Sequence, residues 1–172
     1  ILTTGIHGLS KLGFLIKNKI NLDNDISLNK RLISKSIEHF CRPKVYPNFL
    51  KNLIKTRSNK KIKRIGCTDS SDGLFQALQD LASASKCKAI INYEKIPKDK
   101  DWPTGDKWDE YYFFGGEDYE LVFSLPKKWA KNLSKLDKDI NEIGYFADGE
   151  PSIEFIDDKK DALLKNTPFK HF

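Results

Sequence analysis

The stretch FFGGEDYELVF, Phe113 to Phe123, joins a glycine pair, an acidic cluster and an apolar strand pattern in one short segment. Gly115 and Gly116 allow positive backbone φ angles and a close approach of the backbone to a ligand. A tight turn with its carboxylates in water would explain the glycine pair alone, but not why so acidic a turn precedes so apolar a strand. The acids at the mouth of the predicted strand are Glu117, Asp118 and Glu120.

A second stretch, TDSSDGL from Thr68 to Leu74, lies where a predicted strand meets a predicted helix. Asp69 and Asp72 flank Ser71 beside a helix N-terminus, whose unpaired amides favour anions. Carboxylates attract a divalent cation, and the amides and the hydroxyl can hold a phosphate oxygen, which is what Mg-nucleotide binding needs. The alternative is that Asp69 or Ser71 only caps the helix and Asp72 only complements its dipole. These residues alone leave both interpretations open.

The composition indicates one folded domain. The chain has 172 residues and 19.8 kDa, with 39% hydrophobic, 12% aromatic and 31% charged residues, which argues against intrinsic disorder. Its apolar runs are shorter than the roughly 18 to 20 residues that a membrane span needs, and the N-terminal stretch lacks the order of a signal peptide. We therefore expect a soluble, cytoplasmic protein without a membrane partner.

The charge and the cysteines say less about function. The net charge of +6 would suit a polyanion, but the dense basic run from Lys51 to Arg64 has no interleaved aromatic residues and favours a solvated linker over a nucleic-acid patch. Cys41, Cys67 and Cys87 are scattered and odd in number, which fits a reducing compartment and predicts buried thiols. The histidines are predicted to be structural or loop residues, and structural zinc is disfavoured because paired ligands at close spacing are missing.

Hydrophobic periodicity predicts helices alternating imperfectly with strands, which favours a mixed sheet with helices packed on it. Helices are predicted after Gly8, over 27–40, 48–54, 71–85 and 127–136, with Ser70 or Ser71 as the cap of the fourth. Strands are predicted over 62–68, 89–93, 111–114, 119–125, 140–145 and 152–156.

Taken together, the two stretches resemble a known family. TDSSDGL resembles the D-x-S-D-G-L motif, and GGEDYEL matches the G-G-E-D-Y-E-L motif, of bacterial thiamine-monophosphate kinases, which belong to a superfamily with aminoimidazole ribonucleotide synthetase and selenophosphate synthetase. The resemblance extends to TTGIHGLSKLGFL, CRP, IGYFADG and the ending PFKHF, and so covers nearly the whole chain. GGEDYEL is its most specific element.

The resemblance implies an α+β fold, a three-layer α/β/α domain with a mixed sheet like the C-terminal domain of PurM and partly like a ferredoxin fold. It implies that residues 1–172 form the C-terminal half of a two-domain kinase. The N-terminal domain, which in the family supplies most metal-binding aspartates and much of a homodimer interface, would be absent from this chain.

The resemblance also implies a reaction and roles for individual residues. An ATP-dependent kinase would convert thiamine monophosphate to thiamine diphosphate, with Asp69 and Asp72 as Mg²⁺ ligands and Ser71 contacting the ATP phosphate. Glu117 and Phe169 would contact thiamine monophosphate. The alternatives are another ATP-using synthetase of the superfamily or a stand-alone polyanion-binding module. Departures from the family pattern occur at Leu9, Ser70 and Pro168, where the family usually has Asp, an aliphatic residue and Gly.

Overall fold

Strands and helices alternate through residues 1–20, 28–57, 65–157 and 163–165, the parts of the chain that this computed structural model describes. The strands are β1 (Leu2–Thr4), β2 (Gly66–Asp69), β3 (Lys88–Ile91), β4 (Leu121–Ser124), β5 (Ile140–Glu142), β6 (Gly144–Ala147) and β7 (Ser152–Phe155). The helices are α1 (Leu9–Lys17), α2 (Lys30–Cys41), α3 (Phe49–Thr56), α4 (Leu74–Ser85), α5 (Asp106–Phe114) and α6 (Lys127–Leu136). Within these parts, no helix has the length and apolar character needed to cross a bilayer.

The strands form two sheets instead of the single mixed sheet that the sequence pattern favours. The larger sheet has the order β2-β4-β1-β5 and is antiparallel throughout. The smaller sheet has the order β6-β3-β7, with β3 antiparallel to β6 and parallel to β7. The fully buried Ile143 is the only residue between β5 and β6, so one extended segment passes from the first sheet to the second. The predicted combination of helices with mixed strand pairing is confirmed.

Strand β4 of the larger sheet is buried on both faces, and consecutive residues of a strand point to opposite sides. In β4, Val122 joins the main core with helices α1, α4 and α5, whereas Phe123 joins a smaller core with α3 and α6. Both side chains are fully buried. The sheet therefore separates two helical layers. The smaller core contains Leu2, Leu53, Phe123, Leu125, Trp129, Ala130, Leu133 and Ile140.

The strand predicted over 111–114 is wrong, because these residues form the last turn of α5. Tyr112, Phe113 and Phe114 are all buried, so the segment has neither the alternation of a strand nor the polar face of a surface helix. Asp106 and Asp109 lie in the first turn, where negative charge complements the helix dipole. The sequence pattern instead suggested that the loop before these aromatic residues continued to Trp108.

Helix α4 begins at Leu74, three residues later than predicted, and neither Ser70 nor Ser71 caps it. The N-cap is Gly73, which has a φ of 93° and leaves no room for a Cβ against the Phe114 carbonyl. The predicted apolar stripe of this helix is confirmed, since Leu74, Leu78, Leu81 and Ala82 are all buried.

The expectation that the cysteines are buried is wrong. Cys41 and Cys67 are exposed, and Cys87 is partly exposed. Cys67 lies on β2, an edge strand of the larger sheet, on the same side as the exposed Asp69. The basic run predicted to be a linker begins inside α3, and its residues 58–64 lie outside the described residues.

Candidate functional site

The pairing of β2 with β4 brings the two acidic stretches together. The strands run antiparallel, and their last paired residues at one end are Asp69 and Leu121. The chain leaves β2 through TDSSDGL at the same end where it enters β4 from GGEDYEL. The stretches are far apart in sequence, and the sheet makes them neighbours.

Three hydrogen bonds hold these segments to each other beyond the end of the paired strands. The Glu117 amide donates to the Ser71 carbonyl at 2.7 Å. The Ser70 amide donates to the Glu120 carbonyl at 2.9 Å, and the Glu120 amide donates to Ser70 Oγ at 3.0 Å. The loop after β2 and the turn before β4 therefore form one structural unit.

Negatively charged side chains converge on the outer surface of this unit. The Tyr119 hydroxyl donates to Glu117 Oε2 at 2.7 Å, and this hydrogen bond raises the pKa of Tyr119. The charges of Asp69 and Asp72 raise the same pKa further. Both aspartates from the first stretch therefore act on the same side chain as Glu117 from the second. The hydrogen bond from the Glu117 amide to the Ser71 carbonyl places Glu117 beside the loop that carries Asp69 and Asp72.

Ser71 supports Asp69 within its loop. Both the amide and the hydroxyl of Ser71 donate to Asp69 Oδ1, at 3.2 and 2.8 Å. Among the described residues, none donates a hydrogen bond to Asp69 Oδ2, and Asp69 is exposed to solvent. This oxygen can take a divalent cation, because Mg²⁺ commonly uses one or two protein carboxylates and completes its octahedron with phosphate and water.

The backbone of the acidic turn is left-handed at residues that are not glycine. Glu117 has a φ of 68° and Tyr119 a φ of 55°, whereas Gly115 has an ordinary φ of −64°. The expected positive φ angles therefore occur just after the glycine pair. Gly115 is required for packing instead, because a Cβ there would collide with the Tyr111 carbonyl. Left-handed conformations outside glycine are sparsely populated and cluster at functional sites.

Only one of the three acids in the turn faces the surface. Asp118 is fully buried and accepts the amides of Gly8 at 2.6 Å and Ser10 at 2.9 Å, which tie the turn to the start of α1. Glu120 is buried too, and its Oε2 accepts the hydroxyls of Thr4 and Tyr46, both at 2.6 Å. The acidic cluster thus has two parts. Glu117 lies at the surface, and the two buried carboxylates of Asp118 and Glu120 hold the turn through hydrogen bonds.

The pKa values of the two buried carboxyl groups are shifted in opposite directions. Burial raises the pKa of Asp118 to about 7, although the Ser10 amide and His39 act in the opposite direction. Burial would also raise the pKa of Glu120, but contacts with His39, Thr4 and Tyr46 outweigh it and lower that pKa. His39 Nε2 lies 3.5 Å from Glu120 Oε1. The sequence did not predict that Asp118 and Glu120 would hold the turn by buried hydrogen bonds. The one signal was that successive residues entering β4 point alternately outward and inward.

His39 and His7 lie below the surface, in agreement with the structural role predicted for His39 and the loop position predicted for His7, whereas His171 lies outside the described residues. His39 on α2 has its Nδ1 3.0 Å from Ser10 Oγ and 3.7 Å from Asp118 Oδ1. His7 lies in the loop before α1, fully buried, with its Nε2 2.7 Å from Thr3 Oγ1. Burial lowers the pKa of His7 to about 4, which keeps this ring neutral near pH 7.

An open groove of about 510 Å³ adjoins the acidic surface and shares Tyr119 with it. Its lining is mostly apolar, so it can take a flat organic group more readily than a charged one. Sequence reasoning treated this segment as a turn with two prolines and did not predict a groove. The lining residues are Pro43, Lys44, Val45, Tyr46, Pro47, Phe49, Leu50, Tyr119 and Leu121.

Two other predicted features remain without a structural test. No cluster of three or more His, Cys, Asp or Glu suited to a metal occurs in the part of the chain that the structure describes. The predicted roles of Asp69 and Asp72 as Mg²⁺ ligands therefore stay predictions. Phe169, predicted to pack against the thiamine, lies outside the described residues.

Comparison with known proteins gives a consistent result. Residues 1–156 match the family described as AIR synthase related protein, C-terminal domain. Thiamine-monophosphate kinase from Prochlorococcus marinus is 32% identical over the whole chain, which corresponds to 52% of that relative. The chain therefore spans about half the length of the curated relatives that it matches along its whole length.

Solved structures share the fold. Thiamine-monophosphate kinase from Stenotrophomonas maltophilia superimposes on 90% of this chain with a TM-score of 0.68, at 20% identity and over 49% of its own length. The structure of AaThiL complexed with AMPPCP and TMP superimposes on 90% of this chain with a TM-score of 0.64, at 26% identity and over 46% of its own length.

Proposed function

Because this chain belongs to the family of AIR synthase related proteins, C-terminal domain, we propose that it is the C-terminal domain of an ATP-dependent thiamine-monophosphate kinase. The whole enzyme would transfer the γ-phosphoryl group of ATP to thiamine monophosphate, giving thiamine diphosphate and ADP. The relatives named thiamine-monophosphate kinase support this substrate, as does the 26% identical structure complexed with AMPPCP and TMP.

The observation that carries the proposal is the acidic surface made by the two motif segments. Asp69 and Asp72 reach it from the end of β2, and Glu117 reaches it from the turn before β4. A reaction between two phosphate anions needs such a surface, because catalysis depends on positioning and on metal ions that neutralise charge.

The individual roles follow from this geometry. Asp69 and Asp72 would hold Mg²⁺, which would supply the positive charge that neutralises the ATP phosphates. The Ser71 hydroxyl, which donates a hydrogen bond to Asp69 in this structure, would instead donate to the ATP phosphate. Glu117 would contact thiamine monophosphate, and the groove beside Tyr119 offers apolar surface for its rings. Phe169 would pack against the thiamine.

The chain's own residues need not abstract a proton in this reaction. The attacking oxygen belongs to a phosphate that is already ionised, and the bond that breaks joins the γ-phosphorus to the leaving oxygen of ADP. His7 and His39 are held below the surface by Thr3 and Ser10, which fits positioning better than acid–base work.

The proposal includes partners outside this chain. We infer that residues 1–172 are one domain and that an N-terminal domain of the same polypeptide supplies further Mg²⁺ ligands and the other wall of an active-site cleft. The half-length coverage of the relatives supports such a second domain. The full enzyme would be a homodimer in the cytoplasm, where ATP is available.

The decisive experiment replaces one proposed metal ligand in the full polypeptide that includes this chain. Asp72→Asn should lower the rate of ADP release from Mg-ATP and thiamine monophosphate by roughly a hundredfold or more, with an unchanged melting temperature. Asp80→Asn on the exposed side of α4 is the matched control, and it should leave turnover unchanged.

Near-normal turnover of Asp72→Asn would remove the assigned role of this aspartate. If the wild-type protein consumes ATP only with a different acceptor, the chain belongs to another synthetase of the superfamily. If it consumes no ATP but binds random DNA with a steep dependence on salt, the polyanion-binding alternative holds.

A further inference from the structure

Ser70 lies where the pairing of β2 with β4 ends, and it makes an unusual combination of contacts. A regular antiparallel hydrogen-bonded pair exchanges two N–H···O=C bonds between the same two residues. Ser70 and Glu120 are next in register after the pair of Asp69 with Leu121, and they make the first of these bonds through the Ser70 amide, at 2.9 Å.

The second bond is replaced by a side chain. The Ser70 carbonyl accepts the Gly73 amide at 3.1 Å, which closes the turn leading into α4. The Glu120 amide donates instead to Ser70 Oγ at 3.0 Å. Ser70 and Glu120 are both at most 1% exposed, so the Glu120 amide needs a hydrogen-bond partner inside the protein. The Ser70 hydroxyl supplies that partner where the chain leaves the sheet.

This contact supports the strained part of the acidic turn. Glu117 and Tyr119 are left-handed, and such conformations persist only when the surrounding structure holds them. On one side, the Glu117 amide is bonded to the Ser71 carbonyl at 2.7 Å. On the other side, Glu120 is fixed by Ser70. Both bonds are made to adjacent residues, Ser70 and Ser71, which lie between Asp69 and Asp72.

We propose that Ser70 is a positioning residue, whose buried hydroxyl clamps the acidic turn to the loop after β2 and so sets Glu117 relative to Asp69 and Asp72. The consequence for catalysis rests on the function proposed above. Ser70 is fully buried, and its hydroxyl is engaged by the Glu120 amide. By setting the spacing of Asp69, Asp72 and Glu117, Ser70 affects the affinity for the acceptor and for Mg²⁺.

The test compares Ser70→Ala, Ser70→Thr and Ser36→Ala in the full polypeptide. Ser36 on α2 is a matched control, because its hydroxyl is also buried and has no hydrogen-bond partner in the described structure. Ser70→Ala should raise the KM for thiamine monophosphate and the Mg²⁺ concentration at half-maximal rate by about tenfold, with a much smaller change in kcat. Ser70→Thr should restore both values, and Ser36→Ala should change neither.

A second measurement does not depend on activity. Amide hydrogen exchange at Glu117 and Glu120 should speed up in Ser70→Ala and stay at the wild-type rate in Ser36→Ala. Unchanged exchange in Ser70→Ala overturns the clamp, whatever the kinetics, and so do equal kinetic effects of the two alanine variants. If the wild-type protein does not phosphorylate thiamine monophosphate, the proposed function fails and exchange alone decides on the clamp. If Ser70→Ala does not fold, Ser70→Cys is measured in its place.

Discussion

Glu117 and Tyr119 occupy left-handed backbone conformations that disfavour L side chains, and both lie at the acidic surface. The carboxylates of Asp118 and Glu120 hold the turn in this shape from below, through the amides before α1 and the hydroxyls of Thr4 and Tyr46. The left-handed backbone conformation of Glu117 therefore lowers the stability of the fold. Its retention is explained if the carboxylate is needed for function.

Replacing this residue by glycine separates the two effects. Glu117→Gly should raise the free energy of unfolding by about 1 kcal/mol, because glycine adopts positive φ without strain. It should also lower kcat/KM for thiamine monophosphate at least about tenfold, because a charged contact is lost. Lys86, which ends α4 at a φ of 51°, is the control. Lys86→Gly should stabilise similarly and leave activity unchanged, as measured by urea unfolding and the coupled assay. Destabilisation by Glu117→Gly would contradict this account of strain.

Helices α1 and α2 approach each other closely at Gly13. A Cβ at this position would clash with the carbonyl oxygen of Ser36 and crowd Phe40. This contact keeps α2 against the start of α1, where His39 reaches Ser10 and the buried carboxylates. The geometry under the acidic turn therefore depends on a small residue in a neighbouring helix.

Gly13→Ala should lower the free energy of unfolding by roughly 1 to 3 kcal/mol, although alanine is the better helix former, because the two backbones must move apart. Lys51→Ala on the exposed side of α3 is the control and should have little effect. Thermal unfolding of both variants measures the difference. Equal stability of Gly13→Ala and wild type would show that the helices can separate without loss.

An ion network around the buried Asp99 joins α2 to the loop before α5. Burial alone would raise the pKa of Asp99, but hydrogen bonds from Lys35, the Asp101 amide and Arg31 outweigh it and lower that pKa to about 2. Asp99 is 4% exposed, and the Lys35 Nζ lies 2.7 Å from its Oδ2. A carboxylate whose pKa is lower in the folded state stabilises the fold above its unfolded pKa.

The contribution of Asp99 to stability should therefore be complete above pH 4 and should disappear as the pH falls from about 4 to about 2. Urea unfolding over this pH range should show a steeper loss for wild type than for Asp99→Asn, which starts less stable at pH 7. Asp139→Asn breaks the exposed ion pair with Lys44 and should change stability little. Parallel curves for wild type and Asp99→Asn would assign the acid sensitivity to other groups.

Two hydrophobic cores lie on the two sides of the larger sheet, and both are built from residues of this chain. This burial predicts that residues 1–172 fold cooperatively without the proposed N-terminal domain. The acidic surface alone offers too few metal ligands for phosphoryl transfer between two anions. The domain should therefore be stable but inactive by itself.

Calorimetry of the isolated chain should give one cooperative transition. The coupled assay should detect ADP release only with the full polypeptide. Turnover by the isolated chain equal to that of the full polypeptide would show that this chain carries a complete active site. A broad, uncooperative transition would show that the cores need the proposed N-terminal domain.

Much of the secondary structure was predictable, because its signals are local. Helix α6 spans Lys127–Leu136 as predicted, and the periodicity of Leu74, Leu78 and Leu81 indicated the buried face of α4. The two acidic segments were also recognisable as strings of residues. Their roles as ligands stay predictions, and their proximity depends on the pairing of β2 with β4.

Features that depend on contacts between distant residues could not be derived in this way. The aromatic end of α5 is buried too completely to retain a period, so it was predicted as a strand. Cys67 is exposed on β2, an edge strand, and the division into two sheets follows from the pairing at Ile143.

The inward acids show the same limit at the site. Asp118 and Glu120 differ from Glu117 only in which side of the turn they face, and Ser70 matters only because its carbonyl is used by Gly73. Amino-acid type and spacing determine which groups are available and where helices and strands form, since these depend on interactions within a few residues. Which groups meet, and which become buried or strained, is set by pairing across long separations, because only the folded chain brings such residues into contact.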